Sequence, residues 1–199
     1  LELAEKIGAK RFAIFNFVPV GRGAEMTSLD LTPEEREELM LFLVDKLLGK
    51  HKVTILATTP QLARVAVTRQ CGVKGEVYMP MAHMQTTTVS SKAIALADFI
   101  GGCGAGRLYC SISPEGNVQP CVFLPLKVGN LKKEKFSDIW LNSKIFDALR
   151  KRENLHGPCG RCNFKLICGG CRARAYAYHN DILASDSGCI IAKHLLGSA

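Results

Sequence analysis

The sequence predicts an α/β chain that passes into a smaller, cysteine-rich α+β region. Two almost wholly apolar, β-rich runs, RFAIFNFVP from Arg11 and VTILATTP from Val53, flank one long helical pattern, and eight of the nine cysteines fall after residue 102. Apolar strand, helix and apolar strand with a crossover of this length make a right-handed βαβ unit whose parallel strands are buried on both faces. Thiols at short fixed gaps have another use: they present donors to a common centre.

The elements follow in order. LELAEKIGAK has the spacing of a running helix (Leu1, Leu3, Ala4, Ile7) with no start signal before it, so the chain reads as a piece of a longer one. RFAIFNFVP ends in the glycine-rich turn VGRGAE. Thr32 then caps a helix, with Pro33 in its first turn, Glu35 three residues after the cap and apolar positions at Leu39, Phe42, Leu43, Leu47 and Leu48. After the second strand a short helix runs from Gln61 to Arg69. The stretch 71–92 contains Gly, Thr, Ser and Met without a helical period and reads as an irregular connection. The second region opens near Ala93 with a short helix to Ile100. LYCSI and VQPCVF flank SPEGN as a hairpin, with Pro114 and Gly116 suited to its turn. Past VGNL, Ser137 caps a helix carrying Ile139, Trp140, Ile145, Phe146 and Leu149, and RARAYAYHND reads as helical.

At 199 residues and 47% apolar content, the chain can bury one ordinary core or two small ones. No apolar run approaches the roughly 18 residues of a membrane span, and the first residues lack a signal peptide's apolar core. The expectation is a soluble, cytoplasmic protein with no membrane partner. A chain this long needs no disulfide staples, and C-x2-C pairs suit metal better. The formal charge of +8 has two readings. One is a nucleic-acid partner, for which a zinc-stabilised binding module is the concrete form, although the aromatics are not interleaved with basic residues as a stacking platform requires. The other is charge compensation, since a four-iron cluster on four thiolates carries roughly −2.

Cys71 stands alone in TRQCGVK and reads as an inert thiol, leaving Cys103, Cys110, Cys121, Cys159, Cys162, Cys168, Cys171 and Cys189. Eight is two sets of four, the requirement of tetrahedral zinc or of a four-iron, four-sulfur cluster. In CGRCNFKLICGGC, residues 159–171, only five residues separate the two C-x2-C pairs. Zinc ribbons usually place about fifteen to twenty there. A compact run supplying three ligands, completed by a distant cysteine, suits an iron–sulfur cluster, and Gly169 and Gly170 let backbone N–H groups approach sulfur.

The order C-x12-G-x4-C (Cys103, Gly116, Cys121), then C-x2-C-x5-C-x2-C, then Cys189 resembles the SPASM domain of radical S-adenosylmethionine enzymes over residues 96–195. FSDIW and SKIFDALR resemble that family as well. The resemblance implies two auxiliary 4Fe-4S clusters. Cys103, Cys110, Cys121 and Cys171 would hold the first, and Cys159, Cys162, Cys168 and Cys189 the second. The last gap of the compact run is two residues here and usually three in the family. Residues 1–92 then resemble the C-terminal part of a partial (β/α)6 TIM-like barrel, with the SPASM domain over 93–199. Barrel sites gather at the C-terminal ends of strands, which places Asn16, Arg22 and Thr58 near S-adenosylmethionine or substrate. No three cysteines have the family's C-x3-C-x2-C gaps, so the cluster that cleaves S-adenosylmethionine is expected in upstream sequence together with the rest of the barrel. Family members modify peptides and proteins or oxidatively decarboxylate haem precursors. CGAGRLYCSISPEG and GGCRARAYAY look more like the haem branch, so a tetrapyrrole or a peptide is the implied substrate, and ferredoxin or flavodoxin the electron partner.

Other residues carry bland readings beside sharp ones. Arg22 is a solvated loop arginine or a carboxylate fork. His83 in MPMAHMQ is a linker residue on the barrel mouth or a ligand. Arg172 and Arg174 offset cluster charge, meet an acidic substrate or solvate one helix face. Trp140 is core. GRGAE lacks the third glycine of a dinucleotide fingerprint.

Overall fold

The computed structural model describes residues 1–49, 52–70, 74–81, 85–90 and 101–197. Cys71, His83 and the helix expected from Ala93 to Ile100 lie outside them.

After a short helix α1 (Glu2–Lys6), strand β1 (Arg11–Ile14) pairs in parallel with β2 (Thr54–Ala57), Phe12 opposite Ile55 and Ala13 opposite Leu56. Helix α2 (Pro33–Leu48) crosses between them. Its start follows from three residues: the Thr32 side chain accepts from the Glu35 N–H, the Glu35 carboxylate accepts from the Thr32 N–H, and Pro33 supplies a first turn that needs no donor. The βαβ expectation holds, but its burial does not. Phe15 is 61% exposed, and among the described residues β1 has no strand partner other than β2. The buried face of α2 is Arg36, Met40, Leu43 and Val44, one stripe at helical spacing, which leaves Phe42 and Leu48 exposed. This stripe packs with Ile55 and with Leu62, Val65 and Ala66 of α3 (Gln61–Arg69).

The stretch 71–92 is not irregular throughout. β3 (Glu76–Met81) and β4 (Gln85–Ser90) form an antiparallel hairpin, Val77 opposite Val89 and Met79 opposite Thr87. The run of β-branched residues at Thr86, Thr87, Thr88 and Val89 favours a strand and outweighs the nearby Gly and Pro.

The second region is built on a small three-stranded sheet of β5 (Ser111–Ile112), β6 (Asn117–Gln119) and β7 (Gly129–Asn130). The expected hairpin is there, closed by the Asn117 carbonyl accepting from the Ser113 N–H, and VGNL adds its third strand. The helix expected from Ser137 is two helices, α4 (Phe136–Asn142) and α5 (Lys144–Arg150). Ser137 lies inside the first turn and caps nothing. The cap is Ser143, whose hydroxyl accepts from the Phe146 N–H and starts α5 in a new direction. Ile139 and Phe146 then pack on Val118, with Trp140 beside them under the Arg150 guanidinium. Helices α6 (Gly157–Arg161), α7 (Arg172–His179) and α8 (Ile190–Gly197) complete the described chain.

Candidate metal centres

The cysteines divide between two clefts. Cys159, Cys162, Cys168 and Cys189 line one of about 310 Å³, together with Arg64 and Gly170. Cys103, Cys121 and Cys171 line the other, of about 370 Å³, with Tyr109, Asn16 and Thr58. The compact run is therefore split: α6 carries Cys159, the turn after it Cys162 and Cys168, and Cys171 at the head of α7 faces the other way. Two successive left-handed glycines make that reversal, Gly169 at φ 66° and Gly170 at φ 60°. A Cβ on Gly170 would sit 2.7 Å from the Arg172 guanidinium and 3.3 Å from the Cys159 sulfur.

Cys110, assigned to the same set as Cys103, is not among the residues lining the Cys103 cleft and packs against the cluster of Val118, Ile139 and Phe146. Arg22 is exposed and lines neither cysteine cleft. Asn16 and Thr58 meet, the Asn16 N–H donating to Thr58 Oγ1 at 2.7 Å.

The electrostatics suit an anionic guest. Burial pushes the Cys168 thiol up to about 12, with the neighbouring Cys189 and Cys159 adding to it and the Gly170 N–H opposing. Cys171 is raised in the same way, by burial first and then by Cys103 and Asp186. Thiols crowded out of water do not ionise on their own account, and a bound cationic metal is what deprotonates such a set. Around them Arg36, Arg64, Arg152, Arg172 and Arg174 are all under 9% exposed. Arg36 and Arg174 pair with Asp30, Arg174 also with Asp186, and Arg64 with Glu37, which leaves Arg152 and Arg172 without a carboxylate partner among the described residues. Arg172 Nη2 lies 3.9 Å from the Cys159 sulfur. Arg152 reaches the carbonyls of Gly101, Cys103 and Leu166, between the two clefts. Burial, followed by Arg107, lowers it to about 10. The cysteine sets, the Gly170 N–H on the Cys168 sulfur at 3.3 Å and the buried Arg172 beside Cys159 fit iron–sulfur chemistry. Among the described residues no three ligating side chains close on a point that a single ion would need.

Helix α7 offers no solvated arginine face. Arg174 is 1% exposed; its Nε donates to Asp186 Oδ1 at 3.0 Å and its Nη1 to the Phe17 carbonyl at 2.7 Å, beside Asp30. Asp186 also accepts from the Gln61 amide at 2.6 Å, the Cys171 N–H at 2.9 Å and the Gly188 N–H at 3.0 Å. Burial by itself raises the Asp186 pKa, but Arg174 and these N–H donors outweigh it and hold the carboxyl below its ordinary value. The network runs on through Asp30, which takes Tyr178 and Arg36, and Arg36 reaches Asn16 at the Cys103 cleft. Sequence reasoning missed it because Gln61 and Asp186 are 125 residues apart.

The clefts share a wall. The Cys103 N–H donates to the Cys168 carbonyl at 3.1 Å. Gly102 makes the approach feasible: at φ 67°, an added Cβ would lie 2.1 Å from that carbonyl oxygen. Gly102→Ala is expected to cost at least about 2 kcal/mol, from the left-handed backbone and the clash together. An unchanged urea midpoint would show that the wall yields.

Residues 103–163 match the SPASM family model, an iron–sulfur cluster-binding domain. The chain carries a SPASM domain. Its relatives are radical S-adenosylmethionine enzymes with such domains. Over 190 residues it is 34% identical to the AdoMet-dependent heme synthase of Methanosarcina barkeri, covering 95% of this chain and 50% of that protein. Over 91 residues it is 34% identical to the PqqA peptide cyclase of a Methylobacterium species, covering 43% of this chain and 24% of that protein. The solved structure of native anSMEcpe with bound AdoMet and Cp18Cys peptide is similar in fold, with TM-score 0.53 and 18% identity over 98% of this chain and 50% of that one. The chain thus spans about half the length of the curated relatives it matches. Among the described residues no helix is long and apolar enough to cross a membrane.

Proposed function

We propose that this chain is the auxiliary-cluster portion of a radical S-adenosylmethionine oxidoreductase acting on a haem precursor by oxidative decarboxylation. One observation carries the reading: seven of the eight assigned cysteines fall into two clefts, in the crossed grouping that the resemblance implies. Cys159, Cys162, Cys168 and Cys189 would hold one 4Fe-4S cluster. Cys103, Cys121 and Cys171 would hold the other, with Cys110 as the fourth ligand by resemblance alone. Loaded, such clusters accept or relay single electrons and help to shape a substrate site.

The remaining roles belong to the protein. Asn16 and Thr58 bring the ends of the two parallel strands to the Cys103 cleft, where they would orient S-adenosylmethionine or substrate, while Arg22, in an exposed turn, would meet a carboxylate approaching from solvent. The βαβ unit would be the end of a partial (β/α)6 barrel over residues 1–92. Phe15, Leu3 and Ile7, 61%, 69% and 70% exposed, form apolar surface that the upstream strands would cover. A ferredoxin or flavodoxin would supply or take the electron in the cytoplasm. The haem-precursor reading rests on similarity to a heme synthase across 95% of this chain, against 43% for the peptide cyclase. A peptide remains the second reading, favoured by that cyclase.

Purified without oxygen, the chain is expected to be brown, to carry about eight irons with matching sulfide, and to form no 5′-deoxyadenosine from S-adenosylmethionine. Colourless protein with stoichiometric zinc would refute the cluster reading.

A further inference from the structure

Arg64, on α3 after the βαβ unit, lines the cleft of Cys159, Cys162, Cys168 and Cys189. It sits one helical turn after Gln61, so both point from the same face of α3 into the cysteine-rich region. Its side chain is 8% exposed. Glu37 holds the two terminal nitrogens end-on, Nη1 to Oε1 at 2.9 Å and Nη2 to Oε2. That grip occupies one edge of the guanidinium and leaves the other. Nε is buried and has no hydrogen-bond partner among the described residues. A buried charged donor without an acceptor is costly, and structures keep one where a guest supplies the acceptor. The cleft wall offers sulfur, from ligand thiolates and from the sulfides of a bound cluster.

We propose that Arg64 is a positioning residue for that cluster: its Nε–H donates to a cluster sulfur, and Glu37 fixes its orientation. The inference rests on the cluster reading above and extends it. A hydrogen bond from a cation stabilises the more negative, reduced cluster, so Arg64 raises its reduction potential. Glu37 offsets part of that charge. Helix α3 thereby tunes the potential of a centre whose four thiolates all lie in the cysteine-rich region.

The test is an anaerobic redox titration of the full-length protein followed by EPR, with Cys162→Ser identifying which signal belongs to this cleft. Arg64→Met is expected to lower the reduced-to-oxidised ratio of that signal at least tenfold at fixed poise, about 59 mV for one electron, and to leave the other cluster unmoved. Arg64→Lys, which keeps the charge and loses the fork, moves it less. Glu37→Gln, which keeps the guanidinium and removes its counter-charge, shifts the ratio the opposite way. A purely structural pair would lower stability in each variant and move neither potential. If the wild-type protein has no Cys162-dependent cluster, the underlying reading falls and takes this one with it. If the cluster is present and Arg64→Met leaves its potential unchanged, the inference alone is overturned.

Discussion

Serine at Cys171 is expected to remove or perturb the same cluster signal as serine at Cys121, while serine at Cys162 perturbs the other. Cys171 and Cys162 lie nine positions apart in one run and Cys121 fifty before Cys171, so proximity along the chain predicts the opposite pairing. The expectation comes from the walls of the clefts. Cys121 and Cys171 line one with Cys103, and Cys162 lines the other with Cys159, Cys168 and Cys189. Gly169 and Gly170 turn the chain between them. Iron content with Mössbauer or EPR spectra of the three variants decides the matter. Should Cys171→Ser group with Cys162→Ser, the crossed assignment is wrong although both sites can still bind iron.

Asp186→Ala is expected to destabilise the fold by about 3–5 kcal/mol, the range for removing one partner of a buried ion pair. The carboxylate is fully buried and takes four donors, so its loss leaves the Gln61 amide and two peptide N–H groups without it and takes from Arg174 one of its two carboxylate partners, Asp30 being the other. Arg174→Met should cost a similar amount. The double variant should cost clearly less than the sum, because each single change already breaks the same pair. Urea midpoints of the four proteins measure this, and additive losses would mean that Asp186 and Arg174 act independently.

Local chemistry made much of the fold legible. Thr32, Pro33 and Glu35 announce α2 within four residues, and SPEGN announces the β5–β6 turn. The split of the cysteines came from the resemblance; their spacing alone left it open. Where the reading failed, a competing local signal or a distant partner was responsible. Ser137 and Ser143 are both plausible caps, and only the packing of Phe146 on Val118 selects the second. Of the readings given for Arg172 and Arg174, the solvated face fails because their acceptors, at 182, 184 and 186, follow a full helix later. Arg64 carried no sequence signal, since its value lies in meeting cysteines about a hundred residues on.

The hydrogen bond from the Cys103 N–H to the Cys168 carbonyl, 3.1 Å long, joins the peptide of a proposed ligand of one cleft directly to the peptide of a proposed ligand of the other. A second route is wholly covalent, through Gly169 and Gly170 from Cys168 to Cys171. Neither passes through solvent-facing side chains. The links between the two ligand sets are thus made of backbone, which side-chain substitution leaves intact.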